Sequence, residues 1–117
     1  MLKIIVNFYE TAEGRRPAEE FIDAQSNKMQ AKIALSIDLL KDFGTNLRMP
    51  YSEYLGDGIF QLRIQTEGNK ARVLYFFMVG NEAILTNGFI KKTSRTPSSE
   101  LELAKKYRED YLNRQEE

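Results

Sequence analysis

The stretch NGFIKKTSRTP, residues 87 to 97, places Lys91, Lys92 and Arg95 directly behind a strand-like run. Two further guanidinium groups, Arg63 and Arg72, sit inside the strand-like segments upstream. Guanidinium and ammonium groups gathered around an exposed aromatic suit a phosphate backbone with a base stacked beside it. The chain has 17 Lys+Arg and 17 Asp+Glu and is neutral overall, but its charge is segregated. Residues 57 to 95 hold six cations (Arg63, Lys70, Arg72, Lys91, Lys92, Arg95) and three anions (Asp57, Glu67, Glu82), leaving the remainder net negative by three. The plain alternative is that cations on a solvated sheet face keep an open surface soluble. For Lys92 and Arg95, close to a turn, that alternative amounts to simple solvent contact.

The 117 residues include no histidine and no cysteine. Disulfides, thiolate metal sites and imidazole acid–base chemistry are therefore excluded, and any chemistry falls to Lys, Arg, Tyr, Asp or Glu. No metal-ligand spacing or glycine-rich phosphate loop occurs, and no cofactor is expected. One domain spanning residues 1–117 is the expectation from length. The opening MLKIIVNFY is too short to span a bilayer and lacks the features of a signal peptide, so a soluble cytoplasmic protein with no membrane partner is expected.

Positioning these side chains requires an α+β fold. Lys3 to Tyr9 reads as an opening strand from its β-branched and aromatic content. Pro17 opens a short helix to about Ala24, with Glu19 and Glu20 at its positive end. Asn27 as N-cap, apolar residues at Met29, Ile33, Ile37, Leu40 and Phe43, and Gly44 as the stop define a longer helix. The two form a helical hairpin. Thr45 to Glu53 has no period and is expected to be a loop, with a short strand near Tyr51 to Leu55 as an option. Gly68-Asn69 and Gly80-Asn81 each separate strand-like runs and suit two-residue type II′ turns, which gives an antiparallel sheet of three to four strands. Thr96 as cap and Pro97 then open a C-terminal helix with Leu101, Ala104, Tyr107 and Tyr111 on one stripe.

If both Gly-Asn pairs are the turns, the register follows. Gln65 then faces Arg72, Ile64 faces Val73, Arg63 faces Leu74 and Leu62 faces Tyr75; in the second hairpin Tyr75 faces Thr86, Leu74 faces Asn87 and Arg72 faces Phe89. Alternation assigns Phe60, Leu62, Ile64, Val73, Tyr75, Phe77 and Ile84 to a core face on which the helices pack. Gln61, Arg63, Gln65, Arg72, Leu74, Phe76, Asn87, Phe89 and Lys91 share the other face. Tyr75 is thus expected to be a packed aromatic, and Tyr107 and Tyr111 to dock the last helix, unless that helix brings a hydroxyl to the edge of the basic face. Glu100, Glu102 and Glu109 read as helix-surface charges.

GDGIFQLRIQTEGNKARVLYFF followed by NGFIKKTSRTPSSELELAKKYREDY resembles the RelE/ParE toxin superfamily, most closely its phage-derived HigB-like branch of type II toxin–antitoxin systems. The resemblance covers residues 56 to 111; the N-terminal half agrees in element order. It implies a compact RelE-like fold and a ribosome-dependent, metal-independent endoribonuclease acting on messenger RNA. Carried over by position, the basic residues of that site are Arg63, Arg72 and Lys91 or Lys92, of which the register favours Lys91. Gln61, Asn87, Phe89 and Arg95 are the RNA-contact candidates, with Phe89 stacking on a base. Relatives often add a C-terminal tyrosine or histidine; here only Tyr107 or Tyr111 could stand in as acid, base or stacking group. Attack of a ribose 2′-OH on the adjacent phosphate needs a base, a stabiliser of charge on phosphorus and an acid for the 5′-oxygen. Arginine fits the second task, and a lysine crowded by two arginines has its pKa lowered towards proton transfer.

The resemblance also implies a helix-turn-helix, HigA-like antitoxin as partner, the ribosome and messenger RNA as targets, and operator DNA contacted only through the antitoxin. Two other functions fit the same residues: a ParE-type toxin that inhibits DNA gyrase without nuclease action, and an inactive domain that only binds RNA or antitoxin.

Overall fold

Six consecutive residues, Ala71 to Phe76, are buried in the computed structural model, which describes residues 3–115. A strand apolar on both faces must be covered on both faces, and the rest of the fold supplies the two covers. The elements run β1 (Ile5–Phe8), α1 (Pro17–Asp23), α2 (Asn27–Phe43), a 3₁₀ turn (Gly44–Asn46), β2 (Ser52–Gly56), β3 (Ile59–Gln65), β4 (Lys70–Met78), β5 (Glu82–Ile90) and α3 (Ser98–Gln115). The strands form one sheet in the order β1-β5-β4-β3-β2. It has five strands where three or four antiparallel ones are expected, because β1 joins the edge in parallel with β5 while the other pairs are antiparallel. The optional short strand exists as β2.

Helices α1 and α2 cover one face, burying Ala18, Met29, Ile33 and Leu40 against Leu62, Ile64, Val73, Tyr75 and Leu85. The Tyr75 hydroxyl shares a 2.6 Å hydrogen bond with Ser52 inside this core, which makes Tyr75 a packing residue. The expectation that all helices share this face is overturned. Helix α3 lies on the opposite face, where Ala104, Leu101, Tyr107 and Tyr111 meet Tyr9, Leu74, Phe76, Ile84 and Phe89. Ile84 accordingly belongs under α3, not with Leu62 and Val73. A β-bulge between Leu74 and Tyr75 on the β4–β5 ladder causes the switch, with Thr86 as the extra residue of β5, its hydroxyl donating to the Leu74 carbonyl at 3.1 Å. One extra residue inverts the parity of everything beyond it.

Several local expectations also shift. Ser26, not Asn27, caps α2: its Oγ accepts from the Met29 N–H at 3.2 Å, and Asn27 becomes the first helical residue. Gly44 ends α2 at φ 52, as its type implies. Thr96 does not cap α3, because its hydroxyl donates instead to Gln61 Oε1 at 2.9 Å.

At Gly88 the Phe21 ring of α1 packs directly on the sheet backbone. A Cβ there would lie 2.9 Å from Phe21 Cγ and Cε2 and closer still to Cδ2. Gly88→Ala is therefore expected to lower stability by about 1–3 kcal/mol through overpacking, outweighing the ~0.4–1 kcal/mol that a glycine-to-alanine change otherwise gains from the unfolded chain. Thermal denaturation of Gly88→Ala, Phe21→Leu and the double variant checks it. The double variant should recover part of the loss, and additivity of the two singles would rule out the clash.

Candidate functional site

The first hairpin turns one residue earlier than its glycine suggests. Glu67 and Gly68 form the bend, with the Thr66 N–H donating to the Asn69 carbonyl at 2.9 Å. The register moves by two, so Arg63 faces Arg72 instead of Leu74, and Gln65 faces Lys70 instead of Arg72. The second connection spans three residues, Val79 to Asn81, with positive φ at Gly80 (97) and Asn81 (65). Tyr75 consequently faces Leu85, not Thr86; beyond the bulge the expected pairs Leu74–Asn87 and Arg72–Phe89 hold. Arg63, Arg72 and Phe89 thus stand abreast on β3, β4 and β5, and Lys91 follows two residues on. Directly opposed side chains have Cβ atoms about 4.5–5.5 Å apart, and like charges so placed repel. The two arginines stand directly opposite, where the sequence register placed them diagonally.

Arg72 is 3% exposed, the one cation in the buried stretch of β4. Its Nη1 donates to the Ala71 carbonyl at 2.9 Å, while its Nε is buried without a partner. Arg63 is half-buried; its Nη1 reaches the Pro50 carbonyl and Met49 Sδ, both at 3.3 Å, and its Nε is likewise unpartnered. Among the described residues neither arginine, nor Lys70, Lys91, Lys92 or Arg95, forms a salt bridge, whereas Arg15, Arg16, Lys28, Lys105 and Arg114 all do. Lys32, Lys41, Arg48, Lys106 and Arg108 form none either, but Arg63 and Arg72 are the directly opposed pair, and Lys70 and Lys91 join them at one end of the sheet.

The electrostatics follow. Burial, then Arg63, pushes Arg72 below the usual guanidinium value, although an arginine stays charged at any physiological pH. Burial, then Arg72, Arg63 and Lys70, lowers Lys91 below an ordinary lysine. Glu53 is the opposing charge on both. Its carboxylate accepts from Gln61 Nε2 at 2.8 Å, and Gln61 is held in turn by Thr96. Two hollows flank the cluster. A cleft of about 240 Å³ is bounded by Pro50, Tyr51, Arg63, Gln65 and Arg72. A larger one, about 470 Å³, is bounded by Lys70, Lys91, Lys92, Thr93 and Ser94 with the Glu67–Asn69 turn.

The remaining candidates separate from this cluster. Phe89 is 8% exposed, its ring packed in the α3 core, so it offers little face to a base. Asn87 is buried and donates to the Glu100 carbonyl at 3.2 Å and its carboxylate at 3.1 Å, tying α3 to β5. Gln61 is buried in the Glu53–Thr96 network, and Lys92 and Arg95 are exposed. Tyr107 stacks on Tyr9 with centroids 4.6 Å apart, and Tyr111 meets Phe76 edge-on at 5.6 Å. Phe76 lies four residues from Arg72 along β4, about 13 Å. Both tyrosines therefore anchor α3 at the other end of the sheet and do not join the basic cluster. The Tyr9 hydroxyl, donating to Asp110 at 2.6 Å, completes that anchor; burial, then Asp110, pushes its pKa up to about 12.

Sequence reasoning missed Tyr51 and Glu53. Both lie in the aperiodic stretch Thr45 to Glu53, Tyr51 just before β2 and Glu53 within it, where no pattern assigns a side chain to a face.

Residues 20–109 match the family model described as phage derived protein Gp49-like, well over half of the chain. The chain belongs to this family. Gp49-like proteins are phage-derived and fall within the RelE/HigB-like toxins of toxin–antitoxin systems, which fits the resemblance in residues 56 to 111 and extends it towards the N-terminus. A toxin–antitoxin role with an antitoxin partner is consistent with this membership. No curated protein matches the chain. Among the described residues no helix is long and apolar enough to cross a membrane.

Proposed function

We propose that this Gp49-like protein is a toxin that cleaves messenger RNA on the ribosome, through one domain formed by the whole chain. The observation that carries the reading is Arg72: a guanidinium buried in the central strand, opposite a second guanidinium and without a carboxylate partner. A buried cation left unpaired costs stability, and an incoming phosphate would supply the missing anion. In the proposed reaction the ribose 2′-oxygen attacks the adjacent phosphorus and the P–O5′ bond breaks, leaving a cyclic phosphate and a 5′-hydroxyl. Arg72 and Arg63 stabilise the charge on the phosphoryl oxygens, since arginine binds phosphate bidentately and stays protonated. Lys91, its pKa lowered by burial and by its cationic neighbours, carries one of the two proton transfers, from the 2′-oxygen or to the departing 5′-oxygen, and water carries the other. The net neutrality of the chain argues against tight binding to free RNA, so the ribosome is the natural source of substrate alignment.

The partner in this reading is a small helix-turn-helix antitoxin that neutralises the toxin and through which the pair contacts operator DNA. The test is induced expression in a bacterial host lacking antitoxin, wild type beside Arg72→Ala, with mapping of new 5′ ends on translated messages. Growth arrest with fresh cuts, both lost in the variant, is expected. Arrest without cuts would move the target to DNA gyrase, and unimpaired growth would leave a binding domain.

A further inference from the structure

The six tyrosines divide five to one. Tyr9 and Tyr107 stack on each other, Tyr54 and Tyr75 each pack against Phe60, and Tyr111 meets Phe76. The hydroxyls of Tyr9, Tyr54 and Tyr75 are hydrogen-bonded. Tyr51 alone has, among the described residues, neither an aromatic neighbour nor a hydroxyl partner, and it is 49% exposed. It is not loosely held, however. The Tyr51 N–H donates to the Arg48 carbonyl at 3.0 Å, and the Tyr51 carbonyl accepts from the Arg63 N–H at 2.9 Å. The second bond fastens its backbone to that of a basic-cluster residue, and the Arg63 guanidinium reaches back to the Pro50 carbonyl.

The ring borders two hollows at once. One is the cleft shared with Arg63 and Arg72; the other is an apolar hollow of about 210 Å³ with Leu39, Phe43, Leu47 and Met49. A cleft lined by two arginines without carboxylate partners, bordered by a flat, unpartnered aromatic and an apolar recess, matches the two halves of a nucleotide, a charged phosphate and a π-faced base. A free phosphate would need only the arginines, and a purely apolar ligand would have no use for the cleft. Phe89 is covered by α3, so a base seated beside the arginines needs another aromatic.

We infer that Tyr51 is the nucleobase platform of this cleft, stacking on the base of the nucleotide whose phosphate lies between Arg63 and Arg72. The inference rests on the nucleic-acid reading above and specifies its subsite. Because every base has a π-face, the platform confers affinity with little sequence preference, worth about 5- to 100-fold in binding per stacked base.

The test uses a 2′-O-methyl tetranucleotide, which cannot be cleaved, and an abasic oligomer of the same length and charge, both at low salt. Wild type is expected to prefer the base-bearing oligomer by about 5- to 100-fold. Tyr51→Phe should keep that ratio, and Tyr51→Ala should bring it close to one while leaving abasic binding and the melting temperature unchanged. The chain has no tryptophan, so Tyr51→Trp adds a single reporter whose emission should be quenched by the base-bearing oligomer alone. An intact preference in Tyr51→Ala would overturn the platform, as would equal binding of both oligomers by wild type; a protein segment would then be the better occupant of the apolar hollow. Failure of both oligomers to bind would also overturn it. Ribosomal cleavage by Arg72→Ala is scored separately, so the two readings fail independently.

Discussion

Arg72→Met should abolish cleavage and make the protein more stable. The two effects have one cause. In wild type the guanidinium is held in the central strand, opposed to Arg63 and with a buried, unpartnered Nε. Methionine has a similar reach and no charge, so it fills the space without the desolvation cost or the repulsion. Replacing a buried ionic group by a well-packed apolar one stabilises by about 1–4 kcal/mol net in favourable cases, a figure that already includes lost hydrogen bonds such as the one from Nη1 to Ala71, and a gain at its low end is expected. A rise of a few degrees in melting temperature is the expected reading. Cleavage on programmed ribosomes should fall by at least about 100-fold, the usual loss when one transition-state donor is removed, and Arg72→Lys should restore only part because it lacks the bidentate fork. A lower melting temperature with cleavage intact would make Arg72 a structural residue and sink the assignment.

The legible and illegible parts of this site divide along the same physical line. Which residues of β3 share a face was readable, because strand side chains alternate with period two and Phe60, Leu62 and Ile64 obey that period; β4 follows from pairing with β3, while Ile84, beyond the bulge in β5, lies on the face opposite to the one alternation gives it. Which residues stand opposite one another was not. Moving the first turn from Gly68-Asn69 to Glu67-Gly68 shifts the register by two, which leaves every face unchanged, so the apolar pattern cannot distinguish the two pairings. In the second hairpin two departures cancel: a three-residue connection shifts the register by one, and the bulge at Thr86 shifts it back before Arg72 meets Phe89. The fate of Phe89 was hidden for another reason. The stripe Leu101, Ala104, Tyr107, Tyr111 was plain in the sequence, but a stripe does not say which side of a sheet it will cover. Leu74, Phe76 and Phe89 on the second face were the available signal: a continuous apolar run over Val73 to Phe77 reads as a strand buried on both sides.

Neutralising a charge near Lys91 should move the pH dependence of cleavage in a direction set by the sign of that charge. Arg63 and Arg72 help to lower the pKa of Lys91, and Glu53 opposes them. With Arg63→Gln one lowering influence is gone, so the Lys91 pKa rises towards that of an ordinary lysine. If neutral Lys91 acts as base, the rate climbs through this pKa and the climb moves to higher pH. If protonated Lys91 acts as acid, the rate falls through the same pKa and the fall also moves to higher pH. Glu53→Gln removes the opposing influence and should displace the limb to lower pH in either case. Opposite displacements by two neutral substitutions cannot come from a general loss of folding or of ribosome binding, which would lower the plateau and leave the limb in place. Lys91→Ala should reduce the plateau by about 10²- to 10⁴-fold and erase the limb, whereas Lys92→Ala, which removes an exposed cation, should leave the limb where it is. Single-turnover cleavage on programmed ribosomes across the pH range provides the measurement. A limb that survives Lys91→Ala would assign the proton transfer to another group, with Glu53, the acidic side chain whose charge acts on Lys91, the first to test.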